Sequence, residues 1–224
     1  MYRKFNFLRS EVIMGFTELA RKKQAQTLLS AIEKRNMTAH YCETKEACCE
    51  LVLSMIGENS SVTWGGSESI KECGIPKALY ESGKYDIIDR AKYPLSEMKD
   101  YYKKAFCADF YLMSTNAITL DGELMNIDGN GNRVASLIFG PEKVIVVVGM
   151  NKVVSKIEDA YDRIRNIASP PNTIRLHKKT PCAMTGKCGN CFSDDCICNQ
   201  IVITRRSREK DRIHVILVND DLGF

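Results

Sequence analysis

Five cysteines lie close together near the end of the 224-residue chain, and their spacing is typical of a metal site. Four of them follow the pattern C-x5-C-x2-C-x6-C, with Cys196 as a fifth thiol: Cys182, Cys188, Cys191 and Cys198. In the Cys188-Gly-Asn-Cys191 turn two sulfur atoms can converge on one ion, and flanking glycines relieve crowding. Nearby lysines reduce the repulsion between thiolates. The segment therefore predicts metal binding.

The cysteine spacing leaves the identity of the metal open. Thiolate-only ligation suits an iron–sulfur cluster, of the four-iron, four-sulfur type, as well as Zn²⁺. The pattern matches neither the bacterial ferredoxin run nor a standard zinc ribbon, so free or disulfide-paired cysteines remain a third interpretation.

A polar loop between residues 126 and 133 predicts a ligand site. It reads Asn126-Ile-Asp128-Gly-Asn130-Gly-Asn132-Arg133. The alternating Asp and Asn residues are similar to a calcium loop, but Arg133 stands where such a loop needs glycine, and Phe139 stands where it needs glutamate. Calcium is therefore excluded. The alternatives are a polar ligand site, which we favour, and a structural turn rich in Asn and Asp.

A glycine turn, Gly65-Gly66-Ser67, follows a short β-like run that ends at Trp64. Glycines let the backbone approach a ligand closely, and the serine could cap a helix or contact an anion. Glu68, directly afterwards, places a negative charge where a phosphate would lie. The turn predicts either a ligand-binding loop or a simple tight turn.

The remaining cysteines and the histidines predict no catalytic group. Four cysteines stand among apolar residues, where we expect buried small hydrophobic side chains: Cys42, Cys48, Cys73 and Cys107. The histidines show no pairing with a nucleophile, and each is expected to be structural or at the surface. His177 could at most be an accessory metal ligand.

Alternating helical and β-like segments must position these groups. An amphipathic helix is predicted from Val12 to about Asn36, followed by strand–turn–helix units. The run Val144–Val148 is apolar throughout, which is typical of a strand covered on both faces in a parallel sheet. The Asp121-Gly122 pair between two apolar runs predicts an inserted β-hairpin. The predicted fold class is α/β, with a mostly parallel sheet flanked by helices.

The chain is expected to divide near residue 170, where Ser169-Pro170-Pro171 would end a helix. Residues 1–169 would form the α/β domain. Residues 170–224 would form a cysteine-rich extension and a C-terminal β-hairpin that packs back on the domain. The strands of this hairpin would be Gln200–Thr204 and Ile213–Val218, with the charged octad 205–212 as a solvated tip.

Composition and charge exclude several classes of protein. With 44% hydrophobic and 27% charged residues, the chain is neither disordered nor collagen-like. Its 32 basic and 28 acidic residues are mixed along the chain, so the net charge of +4 does not indicate nucleic-acid binding. The longest aliphatic run is far shorter than the roughly 20 residues of a membrane helix. Polar residues interrupt Met1–Glu11, so we expect no secretory signal and a cytoplasmic protein.

Three blocks of motif residues resemble a known family. They are Trp64–Ser67; Ala108-Asp109 through Asn116-Ala-Ile118 to Arg133, with Val144–Lys152; and Thr180–Cys182 with Gly186–Cys188, Cys191 and Ile197–Asn199. The blocks span most of the chain after residue 60 and resemble the lactate-utilisation family, whose core is the LUD domain, in particular its stand-alone members with a C-terminal cysteine segment. That family belongs to the group of NagB, ribose-5-phosphate isomerase and CoA-transferase-like folds. The resemblance implies a Rossmann-like mixed sheet between helices.

The resemblance also implies a function. In bacteria the family is associated with oxidation of L-lactate to pyruvate through iron–sulfur proteins. In related phosphosugar isomerases a catalytic aspartate occupies the position that looks equivalent to Asn116, and an amide cannot act as a general base. Asn116 is therefore expected in a pocket for a sugar-like or organic acid ligand, without isomerase chemistry. The family usually has a basic residue at position 196, which leaves the other four clustered cysteines as the expected ligands.

We therefore expect a redox-associated component of the oxidation of L-lactate or a related organic acid, with a four-cysteine metal site and iron–sulfur partner proteins. Arg133 would pair with the carboxylate or phosphate of the ligand. One alternative is a non-catalytic binding or regulatory module with structural zinc. Another is a CoA- or phosphosugar-handling enzyme that uses Glu123 or Asp128. The expected ligand-binding residues are Gly65, Gly66, Ser67, Asn116, Asn126, Asp128, Asn130, Asn132 and Arg133.

Overall fold

The computed structural model describes residues 15–224, which form two β-sheets and the helices around them. The helices are α1 (Phe16–Lys34), α2 (Lys45–Met55), α3 (Glu68–Glu72), α4 (Ile75–Ser82), α5 (Met98–Phe106), α6 (Asn132–Ile138), α7 (Ile157–Arg163), α8 (Ser169–Arg175) and α9 (Pro181–Thr185). The strands are β1 (Thr38–Cys42), β2 (Ser61–Trp64), β3 (Asp86–Ile88), β4 (Phe110–Met113), β5 (Ala117–Thr119), β6 (Leu124–Asp128), β7 (Lys143–Gly149), β8 (Val153–Val154), β9 (Gln200–Thr204) and β10 (Ile213–Val218). The predicted helix start at Val12 and the expectation for Met1–Glu11 lie outside the described residues.

The central sheet has six parallel strands in the order β1-β10-β7-β4-β2-β3. Along β7, Val144, Val146 and Val148 pack in one hydrophobic layer with α1, whereas Ile145 and Val147 pack in the other layer with α2, α3 and α4. All five side chains are fully buried. Burying one such side chain contributes about 1.5–3 kcal/mol, so the apolar run dictates a strand covered on both faces. The predicted α/β class with a mostly parallel sheet flanked by helices is confirmed.

The second sheet has four strands in the order β8-β5-β6-β9 and contains the predicted β-hairpin. β5 and β6 are antiparallel and are joined through Asp121-Gly122. Gly122 adopts a positive φ of 86°. A Cβ atom at this position would lie 2.9 Å from backbone atoms of Ala31 and Ile32 in α1. Only glycine fits this turn, because both its dihedral angle and its contact with α1 exclude a side chain.

The predicted C-terminal β-hairpin is wrong. β9 pairs antiparallel with β6 in the second sheet, whereas β10 lies between β1 and β7 in the central sheet and is parallel to both. The physical reason is burial: Val215, Ile216 and Leu217 are fully buried, which a strand at the edge of a sheet does not achieve. Residues 170–224 therefore contribute a strand to the core of the α/β domain.

The predicted helix end at Ser169-Pro170-Pro171 is also wrong. A π-helical turn at Ile164–Ala168 continues α7, and α8 starts at Ser169 without an intervening loop. Proline is tolerated in the first turn of a helix, where its missing N–H would have no intrahelical partner.

Burial confirms most predictions for the dispersed cysteines. Cys42, Cys48 and Cys73 are buried, but Cys107 is exposed at the C-terminal end of α5. None of the helices within residues 15–224 has the length and apolar character needed to cross a bilayer.

Candidate functional site

One cavity of about 550 Å³ lies where the loops after β2, β4, β6 and β7 meet. The carboxyl ends of parallel strands are the usual ligand-binding edge of an open α/β sheet. The structure brings eight of the nine predicted ligand residues to this cavity: Gly65, Gly66, Ser67, Asn116, Asp128, Asn130, Asn132 and Arg133. Their assembly in one place does not show that they bind a ligand, which stays a prediction.

The glycine turn serves both packing and the cavity. A Cβ atom at Gly65 would lie 2.7 Å from the hydroxyl of Tyr111, so a side chain at this position would require the buried Tyr111 to shift. A Cβ atom at Gly66 would meet nothing within 4 Å. The Ser67 hydroxyl accepts a hydrogen bond from the Ile70 backbone N–H at 3.5 Å and caps α3. The open backbone at Gly66 is the part of this turn that a ligand can approach.

Asp128 orders the polar loop from within. One of its carboxylate oxygens accepts hydrogen bonds from the backbone N–H groups of Arg133, at 3.1 Å, and Val134, at 3.2 Å. The carboxylate thereby satisfies two donors that the first turn of α6 cannot pair internally. This local structure explains why the chain turns into a helix directly after the Asn- and Gly-rich segment.

Arg133 holds the strand ends together. Its two terminal nitrogens donate to four protein acceptors, namely the backbone oxygens of Ser114 and Ile127 and the side-chain oxygens of Asn116 and Asn126. Its Nε lies 3.6 Å from a carboxylate oxygen of Asp128. These contacts occupy the donors of the guanidinium group. They favour a positioning role for Arg133 over the predicted pairing with a ligand carboxylate.

Asn126 is the one predicted ligand residue that does not line the cavity. It is fully buried within β6. Its side-chain oxygen accepts from Arg133, and its amide nitrogen has no hydrogen-bond partner among the described residues. The structure therefore does not bring Asn126 to the cavity with the other eight residues, because β6 turns its side chain into the protein interior.

Lys152 is the functional candidate that sequence reasoning missed. It ends a short 3₁₀ turn after β7 and is only 4% exposed. Lys152 lines the cavity, and its ammonium nitrogen lies 2.8 Å from the Ser69 hydroxyl oxygen and 3.0 Å from the Ser114 hydroxyl oxygen. Among the described residues Lys152 forms no ion pair with a carboxylate. A buried lysine without a counter-ion is unusual, because burying an unpaired charge is costly.

The surroundings of Lys152 make the protonated form of its amine less favourable. Burial lowers the pKa of Lys152 to about 7, and the guanidinium groups of Arg163 and Arg133 lower it as well, whereas Glu72 and Cys73 act in the opposite direction. A lysine whose pKa lies near neutral pH can bind an anion when it is protonated, or act as a base or nucleophile when it is uncharged. The sequence signal for this residue is its place just after the most hydrophobic strand, at the edge where ligands bind.

The rim of the cavity carries further charges that are paired with each other. Arg175 lies 3.2 Å from a Glu68 carboxylate oxygen, and Lys178 lies 3.5 Å from one of Asp195. These pairs are partly exposed and contribute little to stability. Lys152 is therefore the lining cation in the described residues that is both buried and without an acidic partner.

Comparison with protein-family models matches residues 25–218 to the LUD domain. The chain belongs to the LUD-domain family. The match confirms the resemblance to the LUD-domain family that the sequence motifs predicted, and it extends over most of the chain. A comparison with functionally curated proteins finds no match. Among solved structures, a DUF162 family protein from Deinococcus radiodurans is similar, with 14% sequence identity and a TM-score of 0.47 over 91% of this chain and 99% of that one.

The four predicted metal ligands of this LUD-domain protein lie in α9 and in the segment that follows it, beside the turn that continues α7 and the start of α8. Each sulfur has its own polar neighbour. Cys182 lies 3.2 Å from Thr180 Oγ1, Cys188 accepts from Arg165 Nε at 3.1 Å, Cys191 lies 3.6 Å from Ser193 Oγ and Cys198 lies 3.5 Å from Ser169 Oγ. Cys196 and its neighbours at residues 194, 195 and 197 line the cavity.

The donor chemistry of this segment suits a soft metal, but its arrangement does not form a closed site. Burial raises the pKa of the Cys198 thiol, and nearby Cys196, Cys188 and Cys182 raise it as well, so these sulfurs lie within electrostatic reach of one another. Within residues 15–224, no group of three or more His, Cys, Asp or Glu side chains is placed to hold a metal ion. The four-cysteine metal site therefore stays a prediction, and no chemical step is derived through it.

Proposed function

We propose that this LUD-domain protein binds a small organic anion in its cavity and takes part in the utilisation of lactate or a related acid. The observation that carries the proposal is the buried, cavity-lining residue Lys152, whose ammonium group has no carboxylate partner within residues 15–224. A carboxylate or phosphate oxygen at this position would supply the missing counter-charge. Since the pair would form in a poorly solvated place, its attraction would be only weakly screened.

The serine hydroxyls around Lys152 fix where an anion would bind. Ser69 donates its own proton to the Leu222 carbonyl at 3.3 Å, and Ser114 donates to the Thr115 carbonyl at 3.2 Å. Both hydroxyl oxygens therefore accept from Lys152. Two of the three ammonium protons are used in this way. The third has no acceptor in the part of the chain that the structure describes, and it can bind a ligand oxygen.

Binding titrations over a range of pH test this proposal. L-lactate, acetate and inorganic phosphate are the probes, with heat of binding as the readout; acetate and phosphate separate carboxylate from phosphate recognition. Because the protonated amine binds the anion, affinity should fall by up to about tenfold for each pH unit above 7. The substitution Lys152→Met should abolish both the affinity and its pH dependence.

The matched control for Lys152 is Lys143, which lies at the opposite end of β7, the strand that leads to Lys152, and donates to the Asp211 carbonyl at 2.7 Å. Lys143→Met should bind the anions like the wild-type protein. If wild type binds none of the three probes, or if Lys152→Met binds them unchanged, the proposal fails.

The cysteine segment is proposed to hold a metal centre, an iron–sulfur cluster or zinc, through Cys182, Cys188, Cys191 and Cys198. The support is the proximity of several free thiols, whose thiolate forms are ligands for both metals. Anaerobic reconstitution with iron and sulfide should give broad visible absorption that dithionite bleaches. Cys188→Ser should lose this absorption, whereas the exposed Cys107→Ser should keep it. A colourless protein with stoichiometric zinc would indicate a structural site instead.

A redox role in lactate oxidation follows only if the metal centre is a cluster. Lactate-dependent reduction of a dye, by the reconstituted protein alone or with iron–sulfur partner proteins, measures this role directly. Dye reduction that also depends on Lys152 would connect the cavity with electron transfer. Binding of lactate without dye reduction under any of these conditions would favour a non-catalytic binding module.

A further inference from the structure

We propose that Lys152 is a nucleophile that forms an imine with the carbonyl carbon of a 2-oxo acid bound in the cavity. This inference rests on the proposed function, because the acid must first enter the anion site. It adds a covalent step and a substrate class, a carboxylic acid with an adjacent ketone or aldehyde carbon.

The hydrogen bonds of Lys152 favour a neutral amine as much as an ammonium group. Ser69 and Ser114 give their own protons to backbone carbonyls, so both accept from Lys152. A neutral amine has two N–H donors and one lone pair. With both donors bound to serine oxygens, the lone pair occupies the remaining tetrahedral position of the nitrogen, and the residue that carries it lines the cavity.

The charged groups around Lys152 also favour the neutral amine. Arg163 from α7 and Arg133 from α6 oppose protonation, in addition to burial. Glu72 and Cys73, at the end of α3, favour protonation but act more weakly. With its pKa lowered to about 7, Lys152 is present in both forms at neutral pH. The charged form suits anions such as lactate, which has no ketone or aldehyde carbon, and the neutral form can attack such a carbon in a 2-oxo acid.

The covalent step is balanced without a redox partner. The amine lone pair attacks the carbonyl carbon, and the C=O π bond breaks onto oxygen, giving a carbinolamine. The two protons of the amine nitrogen move to that oxygen, the C–O bond breaks, and the oxygen leaves as water while the C=N bond forms. The serine hydroxyls next to Lys152 can relay these protons. The carboxylate of the acid would lie toward Arg90, a cation that lines the same cavity and forms no ion pair within residues 15–224.

Reductive trapping tests the imine. The full chain is incubated with pyruvate as the probe and treated with sodium cyanoborohydride, and the product is digested and mapped by mass spectrometry. The expected result is one adduct on the peptide that contains Lys152, heavier by the mass of pyruvic acid less one oxygen atom. Formation of the adduct should be faster at pH 8 than at pH 6, because the attacking amine is then deprotonated.

Variants separate a specific imine from random lysine labelling. Lys152→Arg keeps a cation but has no reactive amine, and it should lose the adduct, while Lys143→Arg should retain it. Far-UV circular dichroism and a cooperative melt show that each variant is folded. Should Lys152→Arg fail to fold, competition in the wild-type protein replaces it: excess L-lactate should suppress the Lys152 adduct and leave surface labelling unchanged.

The outcomes distinguish this inference from the function on which it rests. If L-lactate and pyruvate bind in calorimetry but no adduct forms on Lys152, the anion site stands and the nucleophile is refuted. If neither acid binds and no adduct forms, both proposals fail. Equal labelling of Lys143 and Lys152 would likewise refute a specific nucleophile.

Discussion

At the scale of single residues, two cations at the same cavity have opposite environments. Arg133 directs its donors to protein oxygens and lies near the Asp128 carboxylate. Lys152 meets only two hydroxyl groups and no carboxylate within the described chain. A saturated guanidinium group stabilises its surroundings, whereas an unsatisfied buried ammonium group destabilises the empty protein. The second situation is typical of a functional site, since selection for stability alone would remove it.

The buried charge predicts an unusual dependence of stability on pH. The folded-state pKa of Lys152 is about 7, below the unfolded value of about 10.4, so the unfolded chain binds more protons between these two pH values. The contribution of Lys152 to the free energy of unfolding should therefore rise with pH across this window. At about 1.4 kcal/mol for each pKa unit, the total amounts to a few kcal/mol.

Urea unfolding of the wild-type protein and Lys152→Met at pH 6.5, 8 and 9.5 measures this contribution. The variant should be more stable than wild type at pH 6.5, and the difference should shrink as pH rises. Lys143→Met serves as the control and should follow wild type at all three values. A constant difference between wild type and Lys152→Met would contradict the lowered pKa.

Arg133→Lys should destabilise the protein although the charge is conserved. A lysine cannot reach the four oxygens that the guanidinium group contacts, and each lost hydrogen bond costs about 1 kcal/mol, so we expect a loss of about 2–4 kcal/mol. Arg21→Lys is the matched control, because Arg21 forms only an exposed ion pair with Asp221 at 3.0 Å. Denaturant unfolding measures the free energy of unfolding of both variants. Equal losses in the two variants would contradict the prediction.

The sequence predicted most of the cavity residues, but not their roles. Polar side chains that follow strands can be located from patterning, which is why the glycine turn and most of the 126–133 loop were placed correctly. Burial and hydrogen-bond saturation depend on neighbours that are distant in sequence. Ser69, in α3, and Ser114, just after β4, contact Lys152 from distant parts of the sequence. For that reason Lys152 was missed, and Arg133 was predicted to contact a ligand.

At the scale of secondary-structure elements, the β5–β6 hairpin depends on one glycine. Gly122→Ala should lower the stability of the protein for two reasons. A left-handed conformation costs a residue with a Cβ about 1–2 kcal/mol, and the Cβ would also collide with the backbone of α1. Gly74→Ala is the matched control, since Gly74 has a similar φ of 71° and no atom within 4 Å of an added Cβ. Thermal unfolding should show a clearly larger loss for Gly122→Ala. Equal losses of stability in the two variants would mean that the backbone of α1 can shift away from the added Cβ at little cost.

The two errors at the element scale have one cause. Local patterns identified β9 and β10 as strands and the double proline as a break, and the two strands were confirmed. Which strands pair is decided by the burial of whole faces, and a strand with buried Ile216 and Leu217 is more stable inside a sheet than beside β9. Similarly, the prolines fit the start of α8, which the sequence alone does not separate from a helix end.

At the scale of the whole molecule, the position of β10 predicts which parts of the C-terminal segment are needed for folding. A chain that ends at residue 199 lacks β10, which pairs with both β1 and β7, so it should not fold cooperatively. A chain in which a flexible linker replaces residues 187–195 keeps every strand and should still unfold in one transition. Circular dichroism during thermal unfolding measures both. A cooperative transition in the chain that ends at residue 199 would show that residues 200–224 are a separable appendage.

The cavity and the cysteine segment share a wall, and this predicts that they influence each other. Residues 194–197 line the cavity and lie between Cys191 and Cys198, so a metal that fixes these two cysteines would also fix that wall. Coupling between two binding sites is reciprocal: the factor by which metal changes lactate affinity must equal the factor by which lactate changes metal affinity. We expect a factor of about five or more, as for typical coupled sites.

Calorimetry of L-lactate with metal-loaded and metal-free protein gives the first factor, and chelator competition with and without L-lactate gives the second. Identical lactate affinities in the two forms would show that the metal centre and the cavity act independently.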